Sequence, residues 1–334
     1  MPLSTTSLID CIRSPGPCTV IGVIPPSDRD PELVLRRDAV VAGWSDEELA
    51  RFARGGQWTR IRRGAYVDGQ LPGNVIARHA LLVAATLRTL RRPAVVSHQS
   101  AAALLGLPLW GVPLDRVHIT RQPPASSQVT GPLRCHVARL RDDELTAVGG
   151  LAVTNVGRTC LDLARSLPFE AAVVVLDAAL HEGLVTRELI QSRLFDIAGT
   201  RGSRHAARVV RFADGRSESV GESRSRVVLN DLGLTPSSLQ YEIRTPSGLF
   251  VGRSDFAWEE ERVVGEFDGR IKYGRLLRPG QDAGDAVFEE KRREDAIRAE
   301  DWDFVRWTWS DLSPSTKLGE RVRRARERGA HRRS

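Results

Sequence analysis

The segment RSDFAWEEERVVGEFD, residues 253–268, constrains the fold of this chain more than any other stretch. Apolar and polar side chains alternate on both sides of its acidic centre, which is typical of an antiparallel β-hairpin with one buried face. A two-residue turn at Glu260 and Glu261 and a four-residue turn over residues 259–262 predict the same register. The apolar face of the predicted hairpin consists of Phe256, Trp258, Val263 and Phe267.

The other face of this hairpin gathers acidic side chains. In the predicted register Asp255 lies opposite Glu266, and Arg253 lies opposite Asp268. Paired β-carbons are about 4.5–5.5 Å apart, where two like charges destabilise a sheet, so a cation should offset the repulsion. Arg253 is one candidate. Mg²⁺ or Mn²⁺ is the other, because such ions favour carboxylates together with water and phosphate oxygens.

Lys272 favours the metal interpretation. It is one of only three lysines in a chain with 49 basic residues, and it follows the two acidic strands directly. Carboxylates on a metal ion beside an ammonium group are typical of metal-dependent phosphodiester hydrolysis. In that reaction the ion activates water and the ammonium group stabilises the developing negative charge. A solvated lysine just beyond a strand end is the alternative.

Composition bounds the class of protein. The 334 residues are 41% hydrophobic, which suits a globular protein of two or three domains. No apolar run approaches the roughly 18 residues of a membrane span, and the short run CTVIGVI lacks a preceding basic region. We therefore expect a cytoplasmic protein without membrane contact. The four cysteines form no CxxC pair, which predicts free thiols.

The net charge of +7 is concentrated at the C-terminus. Residues 317–334 hold eight basic and two acidic side chains, and the rest of the chain is close to neutral. This pattern predicts a basic tail over residues 313–334 that strengthens DNA binding without reading sequence. A solvated, frayed C-terminus is the alternative.

The N-terminal pattern predicts a winged helix-turn-helix. Residues 1–31 contain SPGPC and IPPSDRDP, and we expect them to be disordered or loosely attached. Over residues 32–72, ELVLRRDAVVAG and WSDEELARFARGG are typical of two helices, the second with Ser45 and Glu48 as a capping box. WTRIRRGAYV then predicts a hairpin wing. The candidate DNA-binding residues are Arg51, Arg54, Arg60, Arg62 and Arg63.

The remaining segments predict an α+β or mixed α/β fold. Residues 73–200 alternate helical and strand-like stretches in a central α+β region. His98, His118 and His136 lie there on strands or strand ends, and we expect each to be structural. Residues 201–312 predict a helix, three strands with a mainly antiparallel start, a crossover helix and a last strand.

Five stretches of the C-terminal half occur in the order seen in a nuclease superfamily: SESVGESRSR, RSDFAW, VVGEFDGRIKYG, KRREDAIR and WDFVRWTW. Residues 215–312 thereby resemble the PD-(D/E)xK superfamily, specifically its very-short-patch-repair-like domains. The resemblance implies a restriction-endonuclease-like fold with a metal site. The implied catalytic residues are Glu222, Asp255, Glu266 and Lys272, and the implied metal ligands are Asp255, Glu266 and Asp268.

Two features depart from that resemblance. A strict (D/E)xK motif starting at Glu266 puts Asp268 where lysine should stand, and Lys272, where relatives often have histidine, arrives four residues later. Ser219 and Glu222 also form a capping-box pattern, so Glu222 is either a helix cap or an active-site acid.

The stretches GGQWTRIRRGAYV and VVSHQSAAALLGLPL carry a second resemblance. Residues 34–170 are similar to the antitoxins of abortive-infection, AbiEi-type, toxin–antitoxin systems. This similarity implies DNA binding, autorepression and a cognate toxin as partner. The winged-helix region is only slightly basic, so a winged helix that contacts protein is the alternative.

Three functions follow from these patterns. The first is a bacterial DNA-interacting protein with a winged helix and a Mg²⁺-dependent endonuclease domain. The alternative is a transcriptional repressor or antitoxin whose nuclease-like domain is catalytically inactive. The third is a protein-interaction scaffold. An enzyme requires Asp255, Glu266 and Lys272 to converge, whereas a repressor requires only the basic helix and wing.

Overall fold

The computed structural model of the chain describes residues 33–269 and 283–333. These residues divide into two compact units. Unit 1 comprises residues 33–175 and 183–211, and unit 2 comprises residues 176–182 and the described residues from 212 onward. The described residues contain helices and three separate sheets, which confirms the expected mixed α and β class. None of the described helices is both long and apolar enough to cross a membrane.

Unit 1 begins with a small antiparallel sheet and two short helices. The elements are β1 (Leu33–Leu35), α1 (Arg36–Val41), α2 (Asp46–Arg54), β2 (Trp58–Arg62) and β3 (Ala65–Asp68). The strand order is β1-β3-β2. The sequence pattern predicts a helix from the start of this segment. The first three residues instead form a strand, because they pair with β3 and bury Leu35.

Helix α2 starts as the sequence predicted. Ser45 Oγ accepts a hydrogen bond from the Glu48 amide at 3.2 Å, and Glu48 Oε2 accepts one from the Ser45 amide at 2.8 Å, which confirms the capping box. The following helix α3 (Val75–Thr89) supplies the missing wall of the small core, where Ala85 packs with Leu35 and Ala65.

A six-stranded mixed sheet forms the rest of the unit 1 core. Its strands are β4 (Val95–Val96), β5 (Val117–Arg121), β6 (Gln128–Thr130), β7 (Leu133–Val137), β8 (Leu145–Val148) and β9 (Leu151–Thr154). Their order is β6-β7-β5-β4-β9-β8, with β5 parallel to β7 and β4 parallel to β9. The helices after β3 and α3 are α4 (His98–Leu104), α5 (Val156–Ser166), α6 (Phe169–His181), α7 (Arg187–Asp196) and α8 (Ser203–Phe212).

Unit 2 is built on a four-stranded sheet in the order β10-β11-β12-β13. Its strands are β10 (Ser238–Arg244), β11 (Phe250–Trp258), β12 (Val263–Phe267) and β13 (Asp303–Trp307), and its helices are α9 (Val220–Asp231), α10 (Ala283–Ala299) and α11 (Thr316–Arg333). In the hairpin of β11 and β12, Trp258 pairs with Val263, which is the register that the sequence predicted. Strand β13 then pairs parallel to β12 after the predicted crossover helix.

The segment predicted as a basic tail is a packed helix. In α11 the side chains of Leu318, Val322 and Ala325 are fully buried in the unit 2 core. Their i, i+4, i+7 spacing places them on one face of the helix, so this segment is part of the unit 2 core, and the alternative of a solvated, frayed C-terminus is wrong. The arginines occupy the remaining faces, where Arg326 pairs with Glu261 and Arg328 with Asp303.

Candidate functional site

Four of the five predicted DNA-binding arginines lie on the surface of unit 1. Arg51 and Arg54 are exposed on α2, and Arg60 and Arg63 are exposed on the β2–β3 hairpin. Among the residues that the structure describes, no hydrogen bond or ion pair holds the guanidinium groups of Arg54, Arg60 or Arg63. Arg51 is only loosely paired, with 3.9 Å between its Nη2 and Glu48 Oε1.

The fifth arginine points into the fold. Arg62 Nη1 donates to Thr89 Oγ1 at 3.2 Å, and burial lowers the pKa of Arg62. The cause is a bulge in β2: Arg60 pairs with Tyr66, but Arg62 pairs with Ala65, so Ile61 is an extra residue in this strand. The bulge breaks the alternation that would have placed Arg60 and Arg62 on the same face.

An aromatic cluster fixes α2 against the hairpin. The Phe52 ring stacks on Trp58 with centroids 5.1 Å apart, and Trp44 meets Phe52 edge-on at 5.2 Å. Tyr66 of β3 lies 6.1 Å from Trp58. Because these rings join α2 to both strands, the exposed arginines of the helix and the hairpin are held on one rigid motif.

On the predicted carboxylate face, Glu266 is held by arginine. Arg293 donates from Nη1 to Glu266 Oε1 at 2.6 Å and from Nη2 to Oε2 at 2.9 Å, and Arg306 Nη2 reaches the same Oε2 at 3.3 Å. Glu266 is only 8% exposed. Burial opposes the charge of Arg293, but the hydrogen bonds to Glu266 and the charges of Glu266, Glu290 and Asp255 raise its pKa. In this bidentate, partly buried ion pair the guanidinium group of Arg293 compensates the negative charge of Glu266.

The other predicted acids have separate partners. Asp255 Oδ2 accepts a hydrogen bond from the Phe267 amide at 2.9 Å, beside Glu266. Arg253, the alternative counterion considered for this face, forms two hydrogen bonds with Glu218 at 2.8 and 3.0 Å. Asp268 follows the end of β12, where its amide donates to the Trp307 carbonyl.

Glu222 is built into the start of α9. Ser219 Oγ donates to its Oε1 at 2.6 Å, and the Glu218 amide and Gln240 Nε2 donate to its Oε2 at 2.9 and 2.8 Å. Glu222 is therefore a buried residue of the first turn of α9 whose carboxylate oxygens are satisfied, and Ser219 is the N-cap of that helix. Lys272 lies outside the described residues.

Three histidines from separate segments of the chain, for which the sequence predicts individual structural roles, converge in unit 1. His98 is the first residue of α4, His118 lies on β5 and His136 on β7. Because β5 and β7 are parallel and His136 pairs with Thr120, His118 and His136 are diagonal neighbours on one face. Their ring atoms His136 Nε2 and His118 Nδ1 are 3.0 Å apart. The His98 ring stacks on His136 with centroids 3.6 Å apart.

The imidazoles of this cluster are electrically neutral near neutral pH. Burial, reinforced by the neighbouring histidines and Arg134, lowers the pKa of His118 to about 2. Burial and the charge of Arg134 lower the pKa of His136 to about 4. Burial, followed by His136 and Arg158, also lowers the pKa of His98 well below its ordinary value. His98 has a φ of +53°, a left-handed conformation that is strained for a residue with a side chain.

These histidines are also the group with metal-binding spacing. Within residues 33–269 and 283–333, they alone form a set of three or more His, Cys, Asp or Glu whose ligand atoms all lie within 4.8 Å of one another. Neutral imidazoles suit a transition metal better than Mg²⁺, which prefers oxygen ligands. The stacking of His98 on His136 disfavours such a site, because ligand lone pairs lie in the ring plane and two parallel rings cannot both point at one ion.

A cavity of about 480 Å³ opens beside the cluster within unit 1. Two of the histidines, four arginines, one acid and smaller residues line it: His98, His136, Arg134, Arg158, Arg165, Arg201, Asp162, Ser127, Ser166, Val137 and Ala138. We call it the His–Arg pocket. No signal in the sequence identified it, because its residues come from five segments whose relative positions depend on the sheet order.

Two of the four guanidinium groups of the pocket are fixed by hydrogen bonds, and the other two belong to exposed side chains. Arg158 is 9% exposed and donates to Asp162 at 3.0 Å and to Glu144 at 3.1 Å. Arg165 donates to the Arg201 carbonyl at 3.2 and 3.1 Å. The side chains of Arg134 and Arg201 are exposed.

Comparison with known proteins gives relatives but no family. No protein-family model matches the chain. Two proteins of Mycobacterium tuberculosis, Uncharacterized protein MT2308 of strain CDC 1551 / Oshkosh and Uncharacterized protein Rv2248 of strain ATCC 25618 / H37Rv, are each 37% identical over 163 residues. The match covers 45% of this chain and 60% of each relative, so the chain spans about three fifths of their length.

A solved structure, titled "Crystal structure of RV2827C protein from Mycobacterium tuberculosis", also matches. The TM-score is 0.37 and the sequence identity 13%, over 65% of this chain and 85% of that chain.

Proposed function

We propose that this protein is a DNA-binding regulator, of the repressor or antitoxin kind, in which the N-terminal motif of unit 1 contacts duplex DNA. The observation that carries the proposal is the element order β1-α1-α2-β2-β3 with strand order β1-β3-β2. This order supports the interpretation of the motif as a winged helix, in which the second helix would enter the major groove and the hairpin would contact the DNA backbone.

The charges of the motif suit this orientation. The first turn of α2 holds three acids: Asp46 forms two hydrogen bonds with Arg36, one of them at 2.7 Å, Glu48 is used in the capping box, and Glu47 is exposed. The exposed arginines follow on the last turn of α2 and on the hairpin. Arginines held there by the aromatic cluster can reach phosphates of the two strands that border the groove.

The contacts of Glu266 favour the regulator over the nuclease. Both oxygens of Glu266 accept hydrogen bonds from Arg293 or Arg306, and these two guanidinium charges oppose the approach of a divalent cation to this acid. The repulsion between Asp255 and Glu266 is thereby offset without a metal ion. Unit 2 would then serve binding, with the exposed arginines of α11 adding charge. A cognate toxin as partner stays a prediction of the antitoxin resemblance.

Mobility shift of duplex DNA with the full chain tests the proposal. The variant Arg60→Ala with Arg63→Ala removes two exposed guanidinium groups that form no hydrogen bond or ion pair among the described residues. It should weaken binding and reduce the slope of log K against log salt by about two. The control is Arg116→Ala with Arg244→Ala, which removes the same charge from exposed sites elsewhere. If both variants bind DNA with the same affinity and the same salt slope, the hairpin does not contact DNA.

A metal-dependent endonuclease is the second candidate. It is favoured by the hairpin register, which places Asp255 on β11 beside Glu266 on β12. The test is incubation of supercoiled plasmid with the full chain and Mg²⁺ or Mn²⁺. The regulator leaves the plasmid intact. Metal-dependent nicking that disappears in Asp255→Asn would establish the enzyme instead.

A further inference from the structure

We propose that the His–Arg pocket of unit 1 binds the phosphate group of a small phosphorylated molecule of about mononucleotide size. This site is separate from the proposed DNA-binding motif and uses none of its arginines. A volume of about 480 Å³ is within the range of ligand-binding cavities, which is roughly 300–1,000 Å³. It is large enough for a phosphate with an attached sugar and base, and far too narrow for a DNA duplex.

The charge of the pocket selects an anion. Four guanidinium groups and one carboxylate, that of Asp162, line the pocket. Glu144 does not line the pocket but forms an ion pair with Arg158, as Asp162 does. The histidines add no charge, because burial keeps them neutral. Two positive charges are therefore left without a counterion among these groups, and a phosphate dianion matches that excess. The same arginines repel a metal cation from the neighbouring histidines.

The pocket is also organised before any ligand enters. Arg158 is fixed by Asp162, Glu144 and the Arg139 carbonyl, and Arg165 is fixed by the Arg201 carbonyl. Their rotamer entropy is already lost on folding, so binding an anion costs less ordering there. Arg134 and Arg201 stand exposed, free to close on a phosphate with the paired N–H donors that guanidinium groups offer.

The histidines form a polar wall beside these arginines. His98 Nδ1 lies 3.0 Å from Ser97 Oγ, and His136 Nε2 lies 3.0 Å from His118 Nδ1, so hydrogen bonds hold both rings that line the cavity. His98 has a left-handed backbone with φ of +53°, and its ring stacks on His136 at the edge of the cavity. Strain of this kind persists where the surroundings enforce it, and it clusters at binding sites.

Titration calorimetry of the full chain at constant ionic strength tests the proposal. The probes are adenosine monophosphate, inorganic phosphate and adenosine, which lacks the phosphate. We expect the nucleotide to bind, inorganic phosphate to compete with it, and adenosine to give no heat. In Arg134→Gln with Arg201→Gln the nucleotide affinity should fall at least about tenfold, since two charge-assisted contacts are lost.

The matched control is Arg116→Gln with Arg244→Gln, which removes two exposed arginines outside the pocket and should leave nucleotide affinity unchanged. Thermal unfolding of both double variants checks that the fold is intact. Equal binding of adenosine, an equal loss of affinity in the control, or no heat with millimolar nucleotide would each overturn the proposal. The proposal is also overturned if Zn²⁺ raises the melting temperature in a way that depends on His118, while the phosphate compounds leave the melting temperature unchanged.

Discussion

Acid should destabilise unit 1 through its buried histidines, and His118 allows the effect to be measured. This side chain is 7% exposed, and burial, followed by the neighbouring His98, His136, Arg134 and His79, lowers its pKa to about 2. In the unfolded chain a histidine takes up its proton near pH 6.5. Between these two values the unfolded state binds a proton that the native state does not.

The sign and size of the effect follow from this difference in bound protons. The native contribution of His118 is fully present above pH 6.5 and is lost as the pH falls, because protons then favour the unfolded state. The loss approaches about 1.4 kcal/mol for each pH unit below 6.5. His136 adds a loss in the same direction and at the same limiting rate, but its total is smaller because it ends near the folded pKa of about 4. A domain of ordinary stability, about 5–15 kcal/mol, becomes marginal within a few pH units.

The assay compares the pH dependence of unfolding in the wild type and in His118→Gln. Pulse-labelling hydrogen exchange of peptides from β5 and β7 across a urea series reports on unit 1 at pH 7, 6 and 5. The substitution lowers stability at every pH, but its slope below pH 6.5 should be flatter than that of the wild type by about 1.4 kcal/mol per pH unit. Exposed His331→Gln controls for the loss of one histidine. Parallel slopes for wild type and His118→Gln would refute the reasoning.

Three further substitutions test the packing of unit 2 by urea unfolding. Arg226→Ala should cost about 3–5 kcal/mol, because it leaves the fully buried Asp177 without its ion-pair partner at 2.6 Å, and adding Asp177→Asn should recover part of the loss. Leu318→Ala should cost about 2–5 kcal/mol if α11 is packed as described, whereas a solvated tail would give no change. Gly221→Ala should cost about 1–3 kcal/mol or more, since its new β-carbon would lie 1.9 Å from Phe267 Cε1, and wild-type stability would contradict this contact.

Features that depend on a few neighbouring residues could be predicted from the sequence. The β11–β12 register follows from the period-2 alternation around a short turn, and either even-length turn leads to it. The capping box of Ser45 and Glu48 is a contact between residues three apart, so its residue types identify it directly. The bulge in β2 was not predicted. Its extra residue, Ile61, turns Arg62 inward, but the sequence pattern contains no signal that identifies it.

Contacts between distant segments were decided only by the tertiary structure. Glu266 meets Arg293 and Arg306, which lie 27 and 40 residues further along the chain, and nothing in residues 253–268 shows that arginine would occupy its oxygens. The buried face of α11 was not predicted, because the prediction used the net charge of the segment. Net charge is a sum over all residues, whereas burial depends on which face of the helix meets the core.

The sequence by itself determined the mixed α and β class, the hairpin register of unit 2 and the helix cap at Ser45, since each depends on periodicity or on contacts a few residues apart. Only the tertiary structure brought together His98, His118, His136 and the arginines of the pocket. Strands β5 and β7 pair in parallel without a tight turn between them, so their register depends on how both pack on the core. A site assembled across such a pair has no linear signature, although every one of its residues is visible in the sequence.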